Sequence, residues 1–218
     1  MPGRALLAHY TRHRFAWLFF SLLLTLAVNP VFEALFRINP IEILLAVNLG
    51  AALASVARDR WLRVLVGFAV VLVAARLLGA ALDISFLRSA SSIAWLSALV
   101  VAVVATARFA FTTETVDAEH VCAALDAYLL VGLLFGVGYA LLDEVWPASF
   151  GAATASDLSI MRGIYFSFVT LATLGYGDVV PASDITRGFV VLEAVIGQFY
   201  LAVAVARLVS VYSRPVRS

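Results

Sequence analysis

Residues 158–171 form an apolar stretch of 14 residues, and two glycines, Gly175 and Gly177, follow it with Tyr176 between them. As a helix rising 1.5 Å per residue the stretch reaches only about 21 Å, short of the ~30 Å hydrocarbon core of a bilayer. It therefore predicts a re-entrant helix, which enters a membrane and leaves on the same side, capped by Ser156 or Asp157. The glycines end any helical pattern, so irregular backbone has to follow at membrane depth. Such backbone persists only where protein or a water-filled path receives its peptide groups. That combination implies a pore.

Composition supplies the membrane. Of 218 residues 63% are hydrophobic and 13% charged, and the mean hydropathy is +1.01; soluble domains carry about 25% charge. Runs long enough to cross occur at Phe15–Phe36, Ile41–Ala57, Leu62–Leu82, Ser92–Ala110 and Val121–Leu142, with a sixth at Ile185–Tyr212. The fold expected is an all-α membrane protein of six transmembrane helices plus a re-entrant pore helix and loop. Arg4, Arg12 and Arg14 precede the first run as in a secretory leader, but the run is long and no small-x-small cleavage site closes it, so it reads as a retained span.

Arginine placement sets the expected orientation. Arg4, Arg12, Arg14, Arg58, Arg60, Arg63, Arg108, Arg207, Arg214 and Arg217 fall on one side; Arg37, Arg88, Arg162 and Arg187 face the other, among eight carboxylates. Both termini are then cytoplasmic in a multi-pass cell-membrane protein, and the re-entrant segment faces outward. The polar run from Thr112 to Glu119 separates four spans (1–112) from a pore region (113–218), either as an interfacial helix or as a solvated loop.

Potassium loses its hydration shell only where oxygen ligands replace it at matching spacing. Backbone carbonyls of an extended segment can do this when they share one side, and glycines at 175 and 177 permit the alternating geometry without a Cβ penalty. Thr173 adds a hydroxyl at the inner end, and Tyr176 can brace the segment from behind. One chain supplies one such segment; four around an axis make a cage.

The sequence TLGYGD, from Thr173 to Asp178, closely resembles the signature of tetrameric potassium channels. The resemblance implies a selectivity filter of Thr173, Leu174, Gly175, Tyr176 and Gly177. In it K+ is held by the carbonyls of Thr173, Leu174, Gly175 and Tyr176 and by the Thr173 hydroxyl. Asp178 lies at the outer mouth, Tyr165 and Phe166 stand at the family's aromatic girdle, Pro181 follows at the usual offset, and Gly197 falls where the inner helix often has a hinge. It implies a homotetramer, with K+ as the permeant ion and no organic cofactor. Leu174 replaces the common Val or Ile and Ala172 a frequent Thr or Ser, which leaves packing and conductance open. The resemblance covers 158–208 firmly, and residues 1–110 match no signature.

Gly197, Leu201, Val205 and Leu208 share a face of the last span and are expected toward the ion path, although Gly197 also suits plain close packing. Glu193 and Gln198 lie within that span, and an intramembrane carboxylate is a candidate by default. Behind a filter Glu193 would accept a hydrogen bond from the re-entrant helix, stay protonated, or sense protons. Ser92–Ala107 holds no basic residue, so the four spans are voltage-sensor-like without gating charges, and no steep voltage dependence is expected. Arg76 reads as snorkelling or paired with Asp83 or Glu42. Cys122 reads as a packed thiol, and His9, His13 and His120 as solvated surface.

No catalytic constellation or phosphate-binding loop is present, so an enzyme is not expected. A net charge of +1 gives no case for nucleic acid, and no ligand-binding domain is visible in the chain. The competing expectations are a transport subunit, a less selective cation channel and a non-conducting membrane sensor.

Overall fold

A computed structural model describes residues 13–36, 41–56, 67, 71, 74, 85–112, 117–152 and 158–212. The elements are α1 (Arg14–Phe36), α2 (Ile41–Val56), α3 (Ser85–Thr112), α4 (Ala118–Val145), β1 (Phe150–Ala152), α5 (Ile160–Leu171), β2 (Val179–Pro181) and α6 (Asp184–Tyr212). Among the described residues, four helical stretches are long and apolar enough to cross a membrane: Arg14–Phe32, Ser92–Thr112, Ala118–Val145 and Asp184–Arg207. The chain is thus mostly helical and consistent with an all-α membrane protein. The expected span Leu62–Leu82 lies almost entirely outside the described residues. Helix α2, with 16 residues, is shorter than a full span.

By internal contacts the chain divides into two compact units, Met1–Ala127 and Tyr128–Ser218. In the first unit the buried stripes follow the helical repeat: Phe15, Leu18, Leu22, Thr25 and Asn29 on α1, and Ser92, Trp95, Leu99, Ala102, Thr106 and Ala110 on α3. Phe20 and Leu24, on the opposite face of α1, are 65% and 62% exposed, as a lipid-facing surface requires. Asn48 of α2 donates to the Thr25 hydroxyl at 2.7 Å, a polar tie between α2 and α1. Helix α3 begins seven residues before the expected Ser92 and so takes in Arg88.

The first turns of α4 belong with the first unit through side chains. Glu119 accepts the Phe15 backbone N–H at 3.0 Å, satisfying one of the free donors at the start of α1. The Phe109 ring stacks between Phe15, at 4.4 Å, and His120, at 4.7 Å, and the Arg14 guanidinium lies 5.1 Å from the Phe15 and Phe109 centroids. His120 Nδ1 sits 2.7 Å from Asp117 Oδ1. Partial burial pushes the Asp117 carboxyl up, but the hydrogen bonds and charge of His120 outweigh it and the net shift is downward.

In the second unit β1 and β2 pair antiparallel, Phe150 opposite Pro181 and Ala152 opposite Val179, which ties the segment before α5 to the segment after residue 178. Tyr139, Phe150 and Phe166 form an edge-to-face trio at 5.3, 5.3 and 5.4 Å, packed with Leu158 and Val179. The N-cap of α5 is Ser159, whose hydroxyl accepts the Arg162 N–H at 3.3 Å. This corrects the expected cap at Ser156 or Asp157, both outside the described residues. Leu158 is buried with its N–H already taken by Asp143, and the helix starts two residues later than expected, at Ile160.

Candidate functional site

The C-terminus of α5 turns directly into the loop. Ala172 N–H still bonds the Phe168 carbonyl at 2.9 Å, Thr173 N–H bonds Thr170 at 3.0 Å, and Leu174 N–H bonds Val169 at 2.9 Å. The chain then leaves the helix with φ of 59° at Thr173, 56° at Gly175 and 77° at Gly177, whereas Leu174 and Tyr176 keep negative φ. Alternation of positive and negative φ breaks the regular two-sided pleat of a strand. Glycine adopts this freely. Thr173 does not; a left-handed residue with a branched side chain costs about 1–2 kcal/mol, and such strain collects at functional sites.

All residues from Ala172 to Asp178 are exposed in the single chain, with Leu174 at 55% and Tyr176 at 66%. The two aromatics of the expected girdle part company. Phe166 is buried in the aromatic trio, whereas Tyr165 is 38% exposed, with its side chain near the Asp178 carboxylate.

Behind the loop three helices meet at Glu193. Its Oε2 accepts the Tyr139 hydroxyl of α4 at 2.6 Å, and its Oε1 is hydrogen-bonded to the Ser167 hydroxyl of α5. Ser167 also reaches the Gly132 carbonyl at 2.8 Å. All three side chains are buried. Glycines allow this approach: a Cβ on Gly132 would lie 2.6 Å from the Phe168 ring, and one on Gly136 2.5 Å from Ile164 Cα.

Of the expected cavity residues, Gly197 is buried against Leu171, Leu201 and Val205 are exposed, and the Leu208 side chain lies outside the described residues. Gln198 is exposed.

Sequence reasoning missed four residues. Tyr139 and Ser167 partner Glu193, and neither stands out in an apolar run. Asp143, counted only as a loop charge, is buried and accepts the Ser149 N–H at 3.1 Å and the Leu158 N–H at 2.9 Å. Asp126, fully buried in α4, has no hydrogen-bond partner for either carboxylate oxygen among the described residues. Its signal was available, since a carboxylate inside an apolar run is the feature that singled out Glu193.

Residues 127–214 match the protein family described as ion channel. The chain is 32% identical over 88 residues to the inward rectifier potassium channel Kirbac3.1 of Paramagnetospirillum magnetotacticum, which is 40% of this chain and 28% of that protein. It is 32% identical over 91 residues to two pore potassium channel c of Oryza sativa subsp. japonica, 42% of this chain and 18% of that protein. Two-pore potassium channel 3 of Arabidopsis thaliana is 33% identical over 51 residues, 23% of this chain and 12% of that protein. The chain therefore spans less than a third of the length of these curated relatives. No solved structure matches it. The similarity to ion channels rests on the segment that carries most of α4, the α5 helix, the 172–178 loop and α6.

Proposed function

We propose that the chain is one subunit of a homotetrameric, potassium-selective channel in which four copies of the 173–178 segment surround one axis. The observation that carries this is the alternation of left-handed residues at Thr173, Gly175 and Gly177 directly after a 12-residue helix. In that arrangement the carbonyls of Thr173, Leu174, Gly175 and Tyr176, with the Thr173 hydroxyl, replace the water around K+. The exposed Leu174 and Tyr176 side chains would pack against neighbouring copies, and the exposed apolar residues of α6, among them Phe189, Leu192 and Phe199, fit a surface shared between subunits and lipid. Gly177 and Asp178 form the outer mouth, and the C-terminal end of α5 directs its negative dipole end at the ion.

Six spans, with residues 62–82 as the third, and cytoplasmic termini complete this reading. Domain 1–112 is then an accessory four-span unit and 113–218 the pore domain. Gly197, Leu201, Val205 and Leu208 line or shape the inner cavity. Conduction is passive and not steeply voltage-gated.

Reconstitution into liposomes tests the proposal. Rubidium uptake that barium blocks and sodium does not replace is the expected result, together with a tetramer in detergent. Uptake by monomers, or equal sodium and rubidium flux, would overturn it.

A further inference from the structure

The buried group at Glu193 can be resolved by counting protons. The Ser167 hydroxyl carries one proton and has two oxygens beside it, the Gly132 carbonyl at 2.8 Å and Glu193 Oε1. The carbonyl has no proton to give. Two oxygens at 2.8 Å without a proton between them oppose lone pairs, so the Ser167 proton belongs to Gly132. The bond between Ser167 and Glu193 then needs a proton from the carboxyl. Tyr139 donates to the other oxygen, Oε2, at 2.6 Å. With the acid proton on Oε1 all three protons have acceptors and no acceptor faces another.

The ionised alternative fails on two grounds. It leaves Ser167 and Gly132 opposed, and it places a full charge in an interior where Glu193 is 0% exposed. Among the described residues its polar partners are two neutral hydroxyls, and no arginine pairs with it. Burying an unpaired carboxylate costs several kcal/mol, about the scale on which proteins neutralise such groups instead. The ionisable groups that face it are the phenols of Tyr139 and Tyr128, both on α4, while α5 presents the Ser167 hydroxyl.

We infer that Glu193 is a neutral carboxylic acid and acts as a positioning residue, its proton latching α5 to α6 and, through Ser167, to the α4 backbone. Ionisation removes the donor on Oε1, so the latch opens on the alkaline side. For its effect on conduction the inference rests on the channel reading; for the protonation state it does not.

Infrared difference spectroscopy on the full chain in liposomes tests it. Wild type minus Glu193→Gln at neutral pH should show the carbonyl stretch of a protonated carboxyl, shifted in Ser167→Ala and in Tyr139→Phe. A difference confined to ionised-carboxylate bands would overturn the inference. Glu193→Gln, whose amide donates to Ser167 and accepts from Tyr139, should keep the wild-type thermal midpoint, while Glu193→Asp, still an acid but one methylene short, should lower it. The reverse order overturns the latch. Rubidium flux of wild type should fall at least tenfold at alkaline pH, and Glu193→Gln should flatten that limb; an identical limb in both also sinks the latch. A protein that shows the protonated band but passes no rubidium at any pH would defeat the channel reading alone.

Discussion

Gly163 of α5 packs on the backbone of Gly136 in α4, so that a methyl on Gly163 would overlap the Gly136 carbonyl oxygen. A methyl on Gly136 would in turn lie 2.8 Å from the Ile164 nitrogen. Both obstacles are backbone, which cannot rotate aside. At Gly197 the obstacle is Leu171 Cδ2, at 2.5 Å, the movable end of a side chain. Gly163→Ala should therefore cost about 3 kcal/mol or fail to fold, whereas Gly197→Ala should cost about 1 kcal/mol. Thermal unfolding of purified protein ranks them; equal losses would show that the two helix backbones are not in contact.

The Tyr165 side chain of α5 lies near the Asp178 carboxylate at the end of the loop within one chain. Tyr165→Phe removes the hydroxyl and keeps the ring, and Asp178→Asn keeps the shape and removes the charge. If these two side chains act together to hold the loop, each variant should shorten sustained rubidium uptake, and the double variant should be no worse than the poorer single one. Additive losses in a double-mutant cycle would mean that the two residues act separately.

The half-length helix and the glycine pair after it were legible because both are local features. So were most helix limits: α1 starts one residue before the expected Phe15, and α6 one before Ile185. What was not legible depends on contacts between distant positions. Tyr139 and Glu193 are 54 residues apart and Asp143 and Leu158 are 15 apart, and no periodicity announces either pair. The cap moved to Ser159 because Asp143 claims the preceding N–H. Glycines 136 and 163 looked like ordinary small residues in apolar runs, since their role is set by the helix opposite. The positive φ at Thr173 runs against the preference of its side chain, so local rules predict something else there.

Asp143 is a second buried carboxylate with a different task. One oxygen takes the Ser149 N–H and the other the Leu158 N–H, so a single side chain fastens both ends of the 149–158 segment. Within that segment β1 pairs with β2, immediately after Asp178. Asp143→Ala leaves two buried donors unpaired and should cost about 2–6 kcal/mol, at about 1–3 kcal/mol per orphaned group. Asp143→Asn keeps one acceptor oxygen and should lose roughly half as much. Thermal unfolding measures both, and an alanine variant as stable as wild type would mean that water satisfies those donors equally well.

Voltage dependence follows from what α3 carries. A charge crossing the membrane field changes the energy by about 2.3 kcal/mol per 100 mV, so steep gating needs several of them on a mobile element. Arg88 and Arg108 sit near opposite ends of α3, and Ser92–Ala107 between them has no basic residue. Under the channel reading, planar-bilayer currents should therefore change only shallowly between −100 and +100 mV (roughly the span of ordinary membrane potentials), with an apparent gating charge of about one or less per subunit. The control is to place arginines at Ala94, Ser97 and Val100, three residues apart along α3. If the first unit is mechanically coupled to the pore, that variant should gain voltage dependence. If wild type already shows a steep curve, charges outside 92–107 must supply it, Arg58, Arg60, Arg63 and Arg76 among the candidates, and the uncharged-sensor reading fails.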